Sequence, residues 1–166
     1  MKYIIRKATE KDLEAILEIV NYNILNTTSI YDYEPRTLAQ QKAIFDDKVK
    51  ANLPIIVIEV DGEVAGFGTY GTFRFKEGYK FTVEHSVYVS INHQGKGLGK
   101  LLLAEMIELA KKQKLHTMIA VIDAENQKSV EFHKQFGFET VGLIKESAYK
   151  FDKWLDTVFM QLILEN

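Results

Sequence analysis

A glycine-rich segment near the middle of the chain has the residue types needed to bind an anion. Its glycines alternate with other residues in the order Gln94, Gly95, Lys96, Gly97, Leu98, Gly99 and Lys100. Backbone N–H groups can approach an anion closely where no side chain intervenes. An apolar helix is predicted to start here, and its first turn adds unpaired N–H groups and a positive dipole end. The segment therefore predicts a phosphate-binding site.

Two common phosphate-binding loops do not fit this segment. A Walker A loop would need glycine at Gln94 and a hydroxyl residue at Leu101, and the dinucleotide fingerprint would need glycine at Lys100. A flexible strand-to-helix turn without a ligand remains the alternative interpretation.

Glu84 is a candidate general base because it lies in the middle of a predicted strand, where carboxylates are depleted. Side chains alternate between the two faces of a strand. One face is predicted to carry Thr82, Glu84, Ser86 and Tyr88, and the other Phe81, Val83, His85, Val87 and Val89. A carboxylate so placed can be a functional acid or base. The alternative is an ion pair with a basic residue of a neighbouring strand.

The elements that carry these residues are predicted in the order β-α-α-β-β-β-α-β-α-β-β. Strands are expected over residues 3–6, 54–60, 64–75, 79–90, 116–122, 138–151 and 155–164, with the last two joined at residues 152–154. Helices are expected after Thr9 and over residues 37–50, 97–112 and 126–135. Asp61-Gly62 predicts a tight hairpin turn. The nearly continuous apolar run 116–122 is typical of a buried parallel strand. The pattern predicts an α/β (α+β) fold whose central mixed sheet has a parallel pair in its middle.

Composition limits the possible functions. The 166 residues predict one domain, residues 1–166, and a net charge of -2 gives no overall attraction to nucleic acid or anionic membrane. The absence of cysteine excludes disulfides, cysteine metal sites and an acyl-cysteine intermediate. No apolar run is long enough for a signal peptide or a membrane span, so a cytoplasmic location is expected. The four histidines show no metal-ligand spacing, so no metal is expected.

The glycine loop and the order of elements resemble the GNAT acetyltransferase superfamily. Its members have helices on both faces of the sheet, and their Q/R-x-x-G-x-G/A loop holds the pyrophosphate of coenzyme A. A second run, which begins at an asparagine, also resembles that superfamily. In the superfamily this asparagine contacts the cofactor arm. It consists of Asn126, Ser129, Val130, His133, Phe136, Gly137 and Phe138.

A narrower resemblance, to phosphinothricin N-acetyltransferases, is carried by four blocks. These enzymes include acetyltransferases of methionine sulfoximine and methionine sulfone. The blocks are residues 26–31, 82–89, 94–99 and 153–161. Many GNAT members carry a tyrosine acid where this chain has His133, whereas the phosphinothricin enzymes carry histidine. The resemblance implies a homodimer and direct transfer of acetyl from acetyl-CoA to the primary amine of a small acceptor.

The resemblance also suggests a role for each candidate residue. Glu84 is the expected base, and His133 is the expected proton donor or orienter, unless it is only a helix-end histidine bonded to the backbone. The expected cofactor-binding residues are the loop Gln94–Lys100 with Val87, Tyr88, Val89, Asn126 and Ser129. The expected acceptor-binding residues are Thr28, Tyr31, Arg74, Phe75, Lys76, Glu84, His85 and Ser86.

Arg74 is the preferred cation for an acceptor carboxylate or phosphinate, because a guanidinium can grip such groups with two hydrogen bonds. Lys76 and Lys80 are weaker candidates, and each alone is better interpreted as a solvated charge. Three alternative functions remain: acetylation of protein N-termini, acetylation of polyamines, and non-catalytic sensing of acyl-CoA. A polyamine site would need an acidic cleft, which Arg74 disfavours.

Overall fold

The computed structural model describes residues 2–165 and has the predicted order of elements. The strands are β1 (Tyr3–Lys7), β2 (Ile55–Val60), β3 (Glu63–Thr72), β4 (Thr82–Val89), β5 (Thr117–Asp123), β6 (Glu139–Lys150) and β7 (Lys153–Ile163). The helices are α1 (Leu13–Asn26), α2 (Leu38–Lys50), α3 (Leu98–Lys112) and α4 (Gln127–Lys134).

The strands form one seven-stranded sheet in the order β1-β2-β3-β4-β5-β7-β6. Strands β4 and β5 are parallel and lie in the middle of the sheet, and the other pairs are antiparallel. The predicted fold class is therefore confirmed. The parallel pair is joined by α3, as a crossover connection requires.

The structure corrects some predicted boundaries. Strand β3 ends at Thr72 and β4 begins at Thr82, and a short 3-10 turn at Glu77–Tyr79 occupies part of the interval. The β6–β7 turn consists of Phe151 and Asp152, not residues 152–154, because Lys150 already pairs with Lys153. Both turn residues have positive φ, at 51° and 57°, as a two-residue primed turn requires. The predicted Asp61-Gly62 turn is of the same kind, with φ of 51° and 92°.

Each face of the sheet has its own hydrophobic core. Helices α1 and α2 cover one face, which we call the α1 face, through buried residues such as Ile16, Val20, Phe45, Val57 and Phe67. Helices α3 and α4 cover the other, the α3 face, through residues such as Ile58, Leu102, Met106, Met118 and Val130. The two cores hold the central strands firmly from both sides.

Two glycines of β3 set the depth at which α3 packs. A Cβ added to Gly66 would lie 2.8 Å from the Tyr88 carbonyl oxygen and 3.2 Å from Leu102 Cδ1, and one added to Gly68 would lie 3.1 Å from Met106 Cγ. A larger residue at either place would push the helix or the neighbouring strand away. These glycines therefore hold the beginning of α3 close to the end of β4.

Candidate active site

The two parallel strands separate soon after they begin to pair, and this separation creates a cleft. Pairing of β4 with β5 extends only from Thr82↔Thr117 to Glu84↔Ile119. Beyond Glu84 the strands have no register with each other, and a cavity of about 250 Å³ lies between them. The cavity is lined by Thr28, Ser29, Tyr31, Glu84, His85, Ser86, Val87, Tyr88, Ala120, Val121, Ile122, Asp123, Asn126, Ser129 and His133.

The free backbone donors of β4 point into this cleft. Ser90 N–H donates to Ala65 O at 2.8 Å and Thr82 O accepts from Phe73 N–H at 3.4 Å, so both residues pair with β3. Backbone groups of successive residues point to opposite sides of a strand. Val87 and Val89 are out of phase with those two residues, so their N–H groups face the separated side. Donors in that position can stabilise a carbonyl oxygen that gains negative charge.

Glu84 reaches the cleft from the α1 face of the sheet. It shares that face with Ser86 and Tyr88, whose ring packs on Phe67 at a centroid distance of 5.3 Å. Within residues 2–165 Glu84 forms no ion pair, and burial raises the pKa of its carboxyl group. This disfavours the ion-pair interpretation of Glu84. A carboxylate whose pKa is raised toward neutrality is a better proton acceptor near pH 7.

The loop between α1 and α2 lines the same cavity as Glu84 and is bonded to the sheet. Thr28 Oγ1 donates to Asp123 Oδ2 at 2.5 Å, and Tyr31 OH lies 3.5 Å from Thr157 Oγ1. Asp123 ends β5 and is only 6% exposed. The predicted acceptor residues Thr28 and Tyr31 therefore lie over the cleft with fixed partners.

A buried lysine fixes the backbone of the same loop. Lys150, at the end of β6, is 3% exposed, and its ammonium donates to Thr27 O at 2.8 Å and Ile30 O at 2.5 Å. Burial lowers the pKa of this group. The lysine joins the β6–β7 hairpin to the loop that carries Thr28.

On the α3 face the cleft is bordered by two buried histidines. His133 Nδ1 lies 2.7 Å from Ser129 O, and His133 Nε2 lies 2.9 Å from His85 Nε2. Burial lowers the pKa of both rings. Both nitrogens of His133 are therefore already engaged within the protein.

The glycine loop continues from the end of β4 on this side of the sheet. Gly95 and Gly97 have φ of 76° and 78°, and a Cβ added to either would meet no protein atom within 4 Å. Gly97 caps α3 without a side-chain hydrogen bond, and the Lys100 N–H donates to Gly97 O at 3.1 Å. Within residues 2–165 the N–H groups of Leu98 and Gly99 have no such partner, so they remain available. Open backbone at a helix N-terminus fits a pyrophosphate. Lys96 and Lys100 add positive charge to this loop.

Asn126 has a structural partner of its own. Its side-chain oxygen accepts the Ser129 N–H at 3.1 Å and so caps α4. Its amide N–H₂ group has no such bond among residues 2–165 and lies at the cleft. The cap explains why a helix starts directly after β5.

Some candidate residues lie away from the cleft. Arg74, Phe75 and Lys76 line a separate depression at the other end of β4, and Phe75 is almost fully exposed. The structure does not bring them to Glu84 within this chain. His85, expected among the acceptor residues, points its ring to the α3 face, and Tyr88, expected among the cofactor residues, packs its ring on the α1 face. Their proposed binding roles remain predictions.

Three residues at or around the cleft were not predicted from the sequence. They are Asp123, Lys150 and Thr157, each buried and polar. Asp123 follows a continuous apolar run, which is a signal that could have singled it out. Lys150 and Thr157 lie in strands whose sequences carry no such signal.

The described chain contains neither a metal cluster nor a membrane helix. Among residues 2–165 no three carboxylate or histidine side chains lie close enough together to hold a metal ion. None of the helices in that range combines the length and the apolar character needed to cross a membrane.

Comparison with known families identifies the fold. A model of the acetyltransferase (GNAT) family matches residues 20–138. The chain belongs to the GNAT acetyltransferase family. The family resemblance inferred from the glycine loop is thus confirmed.

Individual GNAT proteins extend this result. An L-methionine sulfoximine/L-methionine sulfone acetyltransferase of Pseudomonas aeruginosa is 44% identical over 97% of this chain and 94% of its own length. A crystal structure of a phosphinothricin acetyltransferase from Sinorhizobium meliloti in complex with acetyl-CoA is 35% identical, with a TM-score of 0.95 over 99% of this chain and 89% of that one. A ribosomal-protein-alanine N-acetyltransferase from Brucella melitensis is 42% identical, with a TM-score of 0.96 over 97% of this chain and 99% of that one.

Proposed function

We propose that this protein transfers acetyl from acetyl-CoA to the primary amine of a small amino-acid-like acceptor. Phosphinothricin, methionine sulfoximine and methionine sulfone are the acceptor types, as in two of the similar GNAT proteins. The observation that carries the proposal is the cleft between β4 and β5. It has a half-buried carboxylate that forms no ion pair among residues 2–165 on one face, and an open glycine loop on the other.

The α3 face supplies the residues for acetyl-CoA. The N–H groups of residues 95–99, with the side chain of Lys100, would hold the pyrophosphate. The cleft-facing N–H groups of Val87 and Val89 would hold the pantetheine arm and the acetyl oxygen. Asn126, with its amide N–H₂ at the cleft, would contact the same arm. Together these groups would direct the thioester carbonyl into the gap between the strands.

Glu84 has the position needed to activate the amine. An amine with a pKa near that of lysine is almost entirely protonated at pH 7 and cannot attack a carbonyl. Glu84 accepts the ammonium proton, directly or through water, and the free amine attacks the thioester carbon. The C–N bond forms, the nitrogen releases its second proton to water, and the C–S bond breaks. Coenzyme A leaves as a thiolate like that of cysteine, whose thiol has a pKa of about 8.5. A thiolate is a good leaving group, so it needs little help from an acid.

The acceptor would bind on the α1 face beneath the loop that carries Thr28 and Tyr31. Those two residues and Ser86 line the same cavity as Glu84. Arg74, with Phe75 and Lys76, is the predicted partner of the acceptor's acidic group, although it lies in a separate depression of this chain.

The oligomeric state, the extent of the domain and the cellular location are also proposals. A homodimer is supported by exposed apolar side chains on the β6–β7 hairpin, among them Val141, Leu143 and Trp154 at 55%, 52% and 62% exposure. One acetyltransferase domain over residues 1–166 is supported by the continuous sheet. A cytoplasmic location remains a prediction from the sequence.

Acetylation of a protein N-terminus is a second candidate, favoured by the Brucella melitensis protein named above. A panel of amines separates the two candidates. Coenzyme A release is measured with methionine sulfoximine, methionine sulfone, phosphinothricin, other amino acids and alanine-starting peptides. We expect the first three to give the highest kcat/KM. Faster turnover of peptides would favour the second candidate, and acetyl-CoA binding without any turnover would indicate a sensor.

The panel also tests Glu84. We expect Glu84→Gln to lower kcat near pH 7 by about 10²–10⁴-fold, with acetyl-CoA affinity within about threefold of wild type. The loss should shrink as pH rises, because more acceptor then arrives deprotonated. Glu108→Gln is the matched control, since Glu108 is an exposed residue of α3 that pairs with Lys111. A Glu84→Gln protein that melts at a lower temperature but turns over at the wild-type rate would contradict the role of Glu84 as base.

A further inference from the structure

Two histidines from separate elements form a buried pair beside the cleft. His85 comes from β4 and His133 from α4, and they are only 8% and 6% exposed. Their Nε2 atoms lie 2.9 Å apart, and their rings are inclined at 37°. Phe138 packs against both rings, at centroid distances of 5.7 Å and 5.2 Å, and Phe132 packs edge-on against His133 at 5.2 Å.

The partners of these nitrogens assign every ring proton. The carbonyl oxygen of Ser129 can only accept, so the His133 Nδ1 atom 2.7 Å away carries a proton. A neutral imidazole has one N–H, so His133 Nε2 carries none. The hydrogen between the two Nε2 atoms therefore belongs to His85, and His85 Nδ1 is the bare nitrogen. Among residues 2–165, that Nδ1 is buried and has no hydrogen-bond partner.

We propose that His85 is a positioning residue, which donates its Nε2–H to His133 and thereby fixes the tautomer and the ring orientation of His133. The bond also holds His133 in its neutral form, because a donor to a bare ring nitrogen stabilises that form. Burial of both rings acts in the same direction. His133 then cannot give a proton to the leaving thiolate, because its one ring proton lies on Nδ1 and is donated to Ser129 O, while its Nε2 accepts from His85.

The charged and titratable groups around the pair do not oppose this assignment. The groups that line the same cleft are Glu84, Asp123, Tyr31 and Tyr88. Asp123 is occupied by Thr28, and Glu84 and Tyr88 lie on the other face of β4. Around the pair itself the packed groups are the rings of Phe132 and Phe138 and the backbone of Ser129.

The first test uses the wild-type protein and does not depend on its activity. In ¹⁵N-labelled protein, the ring ¹⁵N shifts of four histidines are recorded from pH 5 to 8. We expect His133 to be a neutral Nδ1–H tautomer and His85 a neutral Nε2–H tautomer, with a coupling between their Nε2 atoms across the hydrogen bond. His133 as an Nε2–H tautomer, or a His133 that titrates near its ordinary pKa of about 6.5, would overturn the proposal.

The second test compares His85→Gln with His85→Leu. The glutamine amide can place an N–H close to the position of the His85 Nε2, whereas leucine has a similar size and no donor. We expect His85→Leu to raise the pKa of His133 and to lower kcat at least about tenfold through misplacement of the ring. His85→Gln should keep the low pKa of His133 and recover most of the lost activity. Equal effects of the two substitutions on the His133 pKa would show that packing alone matters.

This inference rests on the proposed function only for its kinetic consequence. If the spectra show the bonded pair but no acceptor is acetylated, the proposed function fails and the assignment of His85 stands. If acetylation proceeds but the predicted tautomers are absent, the assignment fails alone. Should His85→Leu not fold, the wild-type spectra still decide the question.

Discussion

Gly97 offers a direct test of the anion-binding loop, because the chain contains a glycine that matches it elsewhere. Gly97 has φ of 78° and Gly62, in the β2–β3 turn, has φ of 92°. A Cβ added to either glycine would meet no protein atom within 4 Å. Within the folded protein, Gly97→Ala and Gly62→Ala therefore introduce the same kind of strain and no clash. The left-handed conformation costs about 1–2 kcal/mol for a residue with a Cβ.

The two variants should differ only in their effect on the ligand. We expect each to lower the melting temperature by about 2–8 °C, since 1 kcal/mol shifts it by about 2–4 °C in a chain of this length. Only the Cβ of Gly97 would project into the space where backbone N–H groups must reach the pyrophosphate. Gly97→Ala should therefore weaken acetyl-CoA binding about tenfold, or about 1.4 kcal/mol, while Gly62→Ala leaves it unchanged.

Isothermal titration calorimetry with acetyl-CoA measures the affinity, and thermal denaturation measures the strain. The comparison separates a lost binding site from a general loss of stability. Equal acetyl-CoA affinities in Gly97→Ala and Gly62→Ala would refute the assignment of this loop, whether both are weakened or neither is.

Three further predictions concern the acceptor side and the stability of the fold. Lys150→Met removes the hydrogen bonds to two loop carbonyl groups, and leaving such buried groups unpaired costs about 1–3 kcal/mol. The KM for the acceptor should therefore rise about tenfold without a change in acetyl-CoA affinity. Lys145→Met, on the exposed part of β6, is the control. Arg74→Ala should raise the KM for the acceptor without changing the affinity for acetyl-CoA. An unchanged acceptor KM would show that Arg74 is a solvated surface charge with no role in binding. The Arg6 guanidinium lowers the pKa of Asp12 to about 2, below its ordinary value, so the stabilisation is complete above about pH 4 and is lost as pH falls through 2. Asp12→Asn should accordingly melt lower than wild type at pH 7, and this difference should shrink as pH falls through 2, whereas Asp46→Asn, which removes an exposed ion pair, should change the melting temperature little at pH 7.

The fold was predictable because its signals are local. Helical and alternating apolar periods identified each element, and the Asp61-Gly62 turn has the residue types that positive φ favours. The Phe151-Asp152 turn adopts the same backbone without glycine, so its place could not be read from residue types. Residues 73–75 and 79–81 continue the composition of the neighbouring strands, which is why the predicted interruption at residues 76–78 was too short.

The candidate site was predictable only in part, for a related reason. The glycine loop and Glu84 are recognisable from their own neighbours in sequence. The His85–His133 and Thr28–Asp123 contacts join residues 48 and 95 positions apart. They exist because β4 and β5 separate after Glu84, which depends on how α3 and α4 pack and not on any residue type in those strands.

The geometry also bears on whether the acetyl group passes through a covalent enzyme intermediate. The chain has no cysteine, so a serine hydroxyl is the next usual carrier of an acyl group to consider. Ser129 is the nearest candidate with a base, since its Oγ lies 3.4 Å from His133 Nδ1. A serine nucleophile needs a bare nitrogen to take its proton, but this Nδ1 already carries the proton that it donates to Ser129 O. Glu84, in contrast, faces the cleft from the α1 face, opposite the glycine loop. An amine entering on the side of Glu84 would therefore meet the thioester in the gap between the strands and attack it directly.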